Sequence, residues 1–305
     1  MTATLSTNPK AATALPRISV ITPSFNSATT IRDTIESVLQ QNYPNLEHII
    51  VDGGSTDTTL DILKEYPHLV WKSEEDEGHY DAMNKGVRQA TGEIVTILNS
   101  DDCHMPGVLL KIGQAFADHP DWEGLFGDIM FVDSDRNEIY RREEALYDYD
   151  VLRHGGCGYV VHQALFIRKE VHDKVGYYRH KEFLNCCDYD LILALGRERC
   201  KIGHIPEIVV QYRYHDHGQS ADWRVVNNMA KECLRIRKEH GWPGGFYGAM
   251  LSYYYRFKRQ FQRLYYRRRF TIISGNWHLR KHRKKKTKFT SKILSKLEDE
   301  PSTSR

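Results

Sequence analysis

Glu93-Ile94-Val95-Thr96-Ile97-Leu98-Asn99-Ser100-Asp101-Asp102 sets the architecture of this chain. Apolar, partly β-branched residues run from Ile94 to Leu98 and stop at small polar residues and two adjacent carboxylates. Such a run reads as a strand buried on both faces of a parallel sheet. Ligands of open α/β sheets sit just beyond the carboxyl ends of such strands, so Asp101 and Asp102 stand where a ligand lies. Two neighbouring like charges are costly unless a cation joins them, and hard oxygen donors suit Mg²⁺ or Mn²⁺ holding a phosphate. An acidic turn or a helix N-terminus is the plainer reading of the same pair.

Upstream, the same strand-to-loop pattern repeats. Ile18 to Thr22 is an apolar strand stopped by Pro23-Ser24-Phe25-Asn26. Ile31, Ile35, Val38 and Leu39 then recur on one helical face, and Asn42 and Pro44 end that helix. Leu46 to Val51 is a second strand, stopped by Asp52-Gly53-Gly54-Ser55-Thr56-Asp57, with a helix from near Thr58. Leu69 to Trp71 is a brief third strand and Tyr80 to Ala90 a third helix. This alternation predicts a parallel sheet with helices on its faces. The strand ends then share one edge, which brings Asp52 beside Asp101 and Asp102. Between them lies Ser73 to Gly86; its acidic start reads equally well as a solvated loop, while Asn84 and Lys85 are placed to reach a nucleotide or its phosphates. A dinucleotide-binding domain needs G-x-G-x-x-G after the first strand, and Pro23-Ser24-Phe25-Asn26 stands there instead. A P-loop and a G-x-S-x-G elbow are also missing from the sequence.

Bulk properties narrow the class without choosing within it. The 305 residues suffice for one large domain or two modest ones. With 40% hydrophobic and 27% charged residues and a net charge of +3, the chain is ordinary for a globular protein. Its six cysteines lack C-x-x-C spacing and read as thiols of a reducing cytosol. Residues 1–16 read as a flexible tail without the charged start and apolar core of a signal peptide. No apolar run approaches the roughly 20 residues that span a bilayer, so a soluble or surface-attached protein is expected.

Pro23-Ser24-Phe25-Asn26, Val51-Asp52-Gly53-Gly54-Ser55-Thr56-Asp57 and Asn99-Ser100-Asp101-Asp102 together resemble the signatures of the family 2 inverting glycosyltransferases, which have the GT-A fold. Ser73 to Gly86, ending Tyr80-Asp81-Ala82-Met83-Asn84-Lys85-Gly86, is similar to a bacterial branch that builds surface and exopolysaccharides. The resemblance covers about residues 17–215. It implies that Thr22, Pro23 and Asn26 line a nucleotide base pocket, that Asp52 holds the base, and that Ser55 caps the helix behind it. Asn99-Ser100-Asp101 takes the place of the DXD motif, with Asp101 as the metal ligand and Asn99 replacing its first carboxylate. Asp102 is expected to face the sugar or to support the site.

Further along, Gln163 to Ile167 reads as a strand preceded by His162, and Phe183 to Leu195 as a loop entering a helix. Asp188 sits at the mouth of that helix, where an Asp is commonly only a cap. The resemblance implies that an Asp of the Asp188-Tyr189-Asp190-Leu191 motif is the general base; Asp188 is the first choice and Asp190 the fallback. His162 either orients acceptor or diphosphate or is structural. His215-Asp216-His217 has the look of metal ligands, but a turn is preferred.

From about Asp222 the character changes. No acidic residue occurs between Glu239 and Glu298, while Lys and Arg are frequent. Met250, Tyr254, Phe257, Phe261 and Leu264 form one helical stripe, with Arg256, Arg259, Arg263 and Arg267 opposite. Such a helix suits an anionic membrane surface, or docks its stripe on the catalytic domain and leaves its arginines in water. Nucleic acid is not expected as a partner, because no nucleic-acid-binding fold accompanies the basic run.

The expected protein has an α/β GT-A-type nucleotide-sugar-binding fold with a largely parallel central sheet flanked by helices, plus a basic helical C-terminal extension. Its expected parts are a tail over 1–16, a glycosyltransferase domain over 17–221, and a helical, basic region over 222–305 with a disordered end. It is expected to be a Mg²⁺- or Mn²⁺-dependent inverting hexosyl- or N-acetylhexosaminyl-transferase. It would move a sugar from a nucleotide-sugar, a UDP-sugar first, to a growing glycan or lipid-linked acceptor in polysaccharide biosynthesis. The expected location is cytoplasmic and peripheral on the inner face of the cell membrane, attached through Met250–Phe270 and the basic tail. The alternatives are a catalytically silent nucleotide-sugar or membrane-binding module and, more weakly, a nucleotidyltransferase, which normally opens with a Gly-rich loop after its first strand.

Overall fold

The computed structural model describes residues 15–156, 158–214 and 223–274. Residues 1–14 of the expected tail, the 221/222 boundary, His215-Asp216-His217 and the basic end beyond 274 lie outside these residues.

Four parallel strands form one half of the sheet: β1 (Ile18–Ser24), β2 (Leu46–Asp52), β3 (Val70–Ser73) and β4 (Ile94–Ile97), in the order β3-β2-β1-β4. All seven residues of β1 and all four of β4 are buried, as strands covered on both faces require. In register, Ser24 pairs with Asp52 and Asp52 with Ser73, so three strand ends stand in one row.

Helices α1 (Ile31–Leu39), α2 (Thr59–Lys64) and α3 (His79–Gln89) cross between these strands. The buried face of α1 is Ile31, Thr34, Ile35 and Val38, while Leu39 is 46% exposed. Thr34, rather than Leu39, completes the stripe because i, i+3, i+4 and i+7 share one side of a helix. Helix α3 lies so close to β1 that Gly86 leaves no room for a Cβ against Ile21.

Beyond β4 the sheet becomes mixed. Short β5 (Cys103–His104) precedes α4 (Val108–Asp118), β6 (Gly124–Val132), β7 (Glu138–Arg142) and α5 (Tyr149–Gly155). A 3-10 turn over His162–Ala164 leads to β8 (Leu165–Arg168), followed by α6 (Val171–Val175), α7 (Cys187–Arg197) and β9 (Ile202–Arg213). β8 is antiparallel to β4 and β6, β9 is parallel to β6, and β5 and β7 pair at the margins. The parallel character is therefore strongest in the first hundred residues. At the end of β9 the Arg213 amide donates to Asp102 Oδ1 at 2.9 Å and its guanidinium reaches Asp33 at 2.7 Å. The sheet thus curls until β9 closes against the end of β4.

Two helices follow, α8 (Trp223–Glu239) and α9 (Gly245–Ser274). The chain divides into compact units Met1–Arg259 and Gln260–Arg305, so α8 and the first half of α9 belong with the sheet. Buried Arg237 of α8 donates to the carbonyls of Arg153 and His154. In α9, Ser252 donates to His154 O at 2.7 Å and Arg256 to Gly155 O at 2.9 Å. Arg259 reaches Glu144 at 2.6 Å and Lys258 reaches Asp148 at 2.8 Å. The polar side of this half-helix therefore faces the domain. Phe246, Tyr247, Met250, Tyr253, Tyr254 and Phe257 are all more than half exposed, the reverse of the docking arrangement that buries the stripe. No helix among the described residues is long and apolar enough to cross a membrane.

Candidate active site

Three loops meet beyond the carboxyl ends of β1, β2 and β4. Asn26 sits in the left-handed region at φ 48°, which Asn tolerates better than most residues. Its Oδ1 accepts from the amides of Thr56 (2.9 Å) and Asp57 (3.3 Å), and its own amide donates to Ser55 Oγ at 2.8 Å. The Ser27 and Ser100 hydroxyls lie 2.8 Å apart. The first loop is thus fastened to the second and the third.

Asp52 is fully buried. Its Oδ2 accepts from the amides of Gly54 (3.1 Å) and Ser55 (2.8 Å) and from Ser73 Oγ (2.7 Å), and its Oδ1 from Ser55 Oγ (2.5 Å). Four donors match the roughly four lone-pair sites of a carboxylate; Asp52 shapes the turn after β2 and fixes Ser55. Thr22 is also interior, its hydroxyl 3.1 Å from His48 Nε2, and Pro23 is buried beside it. Burial pushes that histidine down to about 3. The surface of the first loop is made instead by Asn26 and by Phe25, whose ring is 62% exposed.

The pair after β4 divides. Asp101, Asn99 and Ser100 are half-buried at the strand end, whereas Asp102 is 1% exposed. Besides the Arg213 amide, Asp102 accepts from Gln163 Nε2 at 3.2 Å, and its carbonyl accepts from Thr34 Oγ1 at 2.8 Å. Burial first, and then the charge of Asp101, raise the Asp102 carboxyl well above the ordinary range. The carboxylate of half-buried Asp101 and the side-chain carbonyl of Asn99 are hard oxygen donors of the kind Mg²⁺ or Mn²⁺ prefers. Among the described residues no three His, Cys, Asp or Glu side chains converge as a metal cage. A Mg²⁺ held by one or two carboxylates and completed by substrate phosphates needs no such cage, so the residues present fit it.

On α3, Asn84 is 1% exposed and bonds both the carbonyl (2.8 Å) and the amide (3.0 Å) of Tyr178. Lys85 pairs with Asp81 at 3.1 Å and Glu74 at 3.5 Å. Burial lowers the Lys85 ammonium, but these carboxylates outweigh it and raise its pKa. Both residues brace the helix beside the strand ends.

Asp188, in the first turn of α7, keeps 30% of its side chain exposed. Its Oδ1 accepts from Tyr80 OH at 3.0 Å, and its Oδ2 lies 3.3 Å from His162 Nδ1. Burial pushes this carboxyl up, but the bonds from His162, the Tyr189 amide and Tyr80 prevail and hold it below the usual carboxylate range. His79, beside Tyr80, is pushed down to about 4, by burial first and then by His162. Asp190 is differently placed: Arg179 grips both its oxygens, at 2.7 and 2.8 Å, and His240 lies 3.5 Å away. It ties α7 to its neighbours, and the half-open carboxylate is Asp188.

Sequence reasoning passed over Phe25, Tyr80 and Gln163. Phe25 carries a signal, an aromatic residue in a strand-end loop flanked by polar residues. Tyr80 and Gln163 carry none, because their partners are 108 and 61 residues away in the chain.

The family model described as Glycosyl transferase family 2 matches residues 19–176. A PGL/p-HBAD biosynthesis glycosyltransferase of Mycobacterium bovis is 32% identical over 173 residues, 54% of this chain and 64% of that protein. The chain therefore spans just under two thirds of that relative's length. A putative teichuronic acid biosynthesis glycosyltransferase, TuaG of Bacillus subtilis, is 47% identical over 93 residues, 28% of this chain and 36% of that one. The crystal structure of S. aureus TarS 1-349 in complex with UDP-GlcNAc superimposes with a TM-score of 0.59 at 20% identity, covering 77% of this chain and 69% of that one. The corresponding complex with UDP gives 0.58 at 21% identity, covering 77% and 68%. The likeness is one of fold.

Proposed function

The chain belongs to glycosyl transferase family 2, and from that premise we propose that it transfers one sugar, with inversion, from a nucleotide-sugar to a growing glycan or lipid-linked acceptor of a cell-surface polysaccharide. A UDP-sugar is the proposed donor. UDP and UDP-GlcNAc in the TarS complexes support that choice, and the names of the two relatives support glycan synthesis.

The observation that carries the proposal is Asp188, a half-open carboxylate kept ionised between Tyr80 and His162. We assign it as the general base. The acceptor hydroxyl gives its proton to Asp188 as its oxygen bonds the anomeric carbon, and the bond from that carbon to the diphosphate oxygen breaks with its electron pair leaving on the diphosphate. Tyr80 and His162 hold the carboxylate in place and ionised. Asp101, with Asn99 beside it, would hold Mg²⁺ or Mn²⁺, which would supply charge neutralisation to the leaving diphosphate. Phe25 offers the base a stacking face, over the loops that Asn26, Asp52 and Ser55 fasten together. Thr22, Pro23, Ser100 and Asp102 support those loops from beneath, and Asn84 and Lys85 brace the neighbouring helix.

We assign residues 17–221 to the catalytic domain and 222–305 to a helical, basic region whose part up to Arg259 packs on that domain, and we place an anionic membrane surface against the exposed aromatic side of α9. Six large apolar residues outward on a half-helix followed by a run without acids fit such a surface.

The test is a melting-temperature panel of UDP-, GDP- and TDP-sugars with and without Mn²⁺, followed by a transfer assay. Ligands that bind only the folded state raise its melting temperature. A rise with UDP-sugars that is larger with Mn²⁺, together with turnover, supports the proposal. Stabilisation without turnover of any donor favours the silent binding module, and a protein that no donor stabilises refutes both.

A further inference from the structure

Outside the active site, α8 clamps the segment that leads into α7. Glu232 accepts from the amides of Leu184 (3.1 Å) and Asn185 (2.9 Å), and Arg235 lies over the Phe183 ring. At the centre of this contact, Cys186 Sγ lies 3.4 Å from Cys233 Sγ. Cys186 is the residue before α7 and two before Asp188, and it is 2% exposed; Cys233 is partly exposed on α8. The two thiols are 47 residues apart in sequence, so folding alone brings them together.

We propose that Cys186 and Cys233 are a dithiol modification site, which peroxide-class oxidants convert to an intramolecular disulfide that fastens α8 to the segment ahead of Asp188. The half-exposed position of Cys233 makes it the first thiol to meet an oxidant. Its thiol is drawn down by the hydrogen bond from Cys186, against the effect of burial, while that bond and burial push Cys186 up. The thiolate of Cys233 attacks one peroxide oxygen, the O–O bond breaks, and a sulfenic acid and one water result. Cys186 sulfur then attacks the sulfenic sulfur and displaces the second water. Two thiols and one H₂O₂ give one disulfide and two waters, two electrons passing from sulfur to oxygen. The sulfurs, in contact at 3.4 Å, close to the ~2.05 Å of a disulfide when the bond forms.

The experiment uses the reduced full chain, a slight excess of hydrogen peroxide, and mass spectrometry of non-reduced digests. A peptide joining Cys186 to Cys233, two hydrogens lighter than its parts, is expected as the dominant crosslink and is expected to vanish in Cys233→Ser. Closing a loop of this length raises the melting temperature, here by on the order of 5–10 °C, reversibly with dithiothreitol. Wild-type protein in which Cys186 and Cys233 both remain alkylatable after peroxide treatment overturns the site. A crosslink that leaves the melting temperature unchanged overturns the fastening. Neither readout uses donor, metal or turnover, so failure here leaves the proposed transferase untouched.

Discussion

Gln163 Nε2 donates to the buried carboxylate of Asp102 at 3.2 Å. The residue before Gln163 is His162, which touches Asp188, and the residue before Asp102 is Asp101. One hydrogen bond therefore joins the strand end that carries the proposed metal ligand to the turn that positions the proposed base. The proposed inverting transfer puts the leaving diphosphate and the acceptor hydroxyl on opposite sides of one carbon, so the spacing of these two groups matters to it, and this bond helps to fix that spacing.

Asp188→Asn is expected to lower turnover by roughly 10²–10⁴-fold, the usual worth of a general base, with affinity for UDP unchanged in calorimetry. Asp190→Asn is expected to act on stability instead. It removes the charge of buried Asp190 from its two bonds with partly exposed Arg179, and a loss of about 2 kcal/mol in denaturant unfolding is anticipated. Equal turnover losses at unchanged stability would assign the base wrongly.

The pH profile follows from the direction of the Asp188 shift. A carboxyl held below its ordinary value stays ionised throughout the neutral range, and its contribution is lost only as pH falls through that lowered value. The acid limb of kcat/KM assigned to this group should lie below the ordinary carboxylate pKa of about 3.9. His162→Ala removes a bond that lowers the carboxyl while burial remains, so the limb should move to higher pH. A profile identical to wild type would show that His162 does not tune the base.

Phe25→Ala should weaken UDP binding by about 1–3 kcal/mol, the range for base–aromatic stacking. Because the ring is 62% exposed, the melting temperature of the unliganded protein should hardly change. Asp101→Asn should instead abolish the Mn²⁺-dependent part of donor stabilisation and leave the metal-free part. A Phe25→Ala protein that binds UDP normally removes the ring from the donor site.

Binding to vesicles of anionic lipid should fall several-fold in Tyr253→Ser/Phe257→Ser, measured by co-sedimentation. These side chains are 77% and 73% exposed, so the substitutions spare the fold. Truncation before α9 is a poorer test, since it strips Arg259 from buried Glu144. Undiminished binding by the double variant would refute the aromatic face as the membrane contact.

The first hundred residues were the most legible. Strands such as Ile18–Ser24 and Ile94–Ile97 are buried throughout and rich in Ile and Val, with only small polar residues such as Ser19, Thr22 and Thr96 between, and their polar stops mark the edge where the loops meet. The division of Asp101 from Asp102 was legible only in part, because its cause is Arg213, 111 residues further on. The burial of Asp52, bonded to Ser55, and of Thr22, beside His48, is not legible in the motif, which names residues without saying which way they face. The outward turn of the aromatic stripe on α9 was hidden for a related reason. Periodicity separates two faces of a helix, but Ser252, Arg256 and Arg259 find carbonyls and a carboxylate waiting on α5 and the loop before it, and that choice is made by the partner surface.

Arg213 also bears on how the protein is made. Domains begin to fold from the N-terminal end as the chain emerges, at about 5–20 residues per second. All the loops beyond β1, β2 and β4 are synthesised before Asn137, yet the amide that satisfies Asp102 and the guanidinium that reaches Asp33 belong to a residue 111 and 180 positions later than these partners. A nascent chain halted after β8 holds every nucleotide-side motif but leaves the Asp102 carboxylate short of one donor. The Asp102 carboxyl thus gains its backbone donor only when β9 arrives, so the contact that closes β9 against the end of β4 is a late event in biosynthesis.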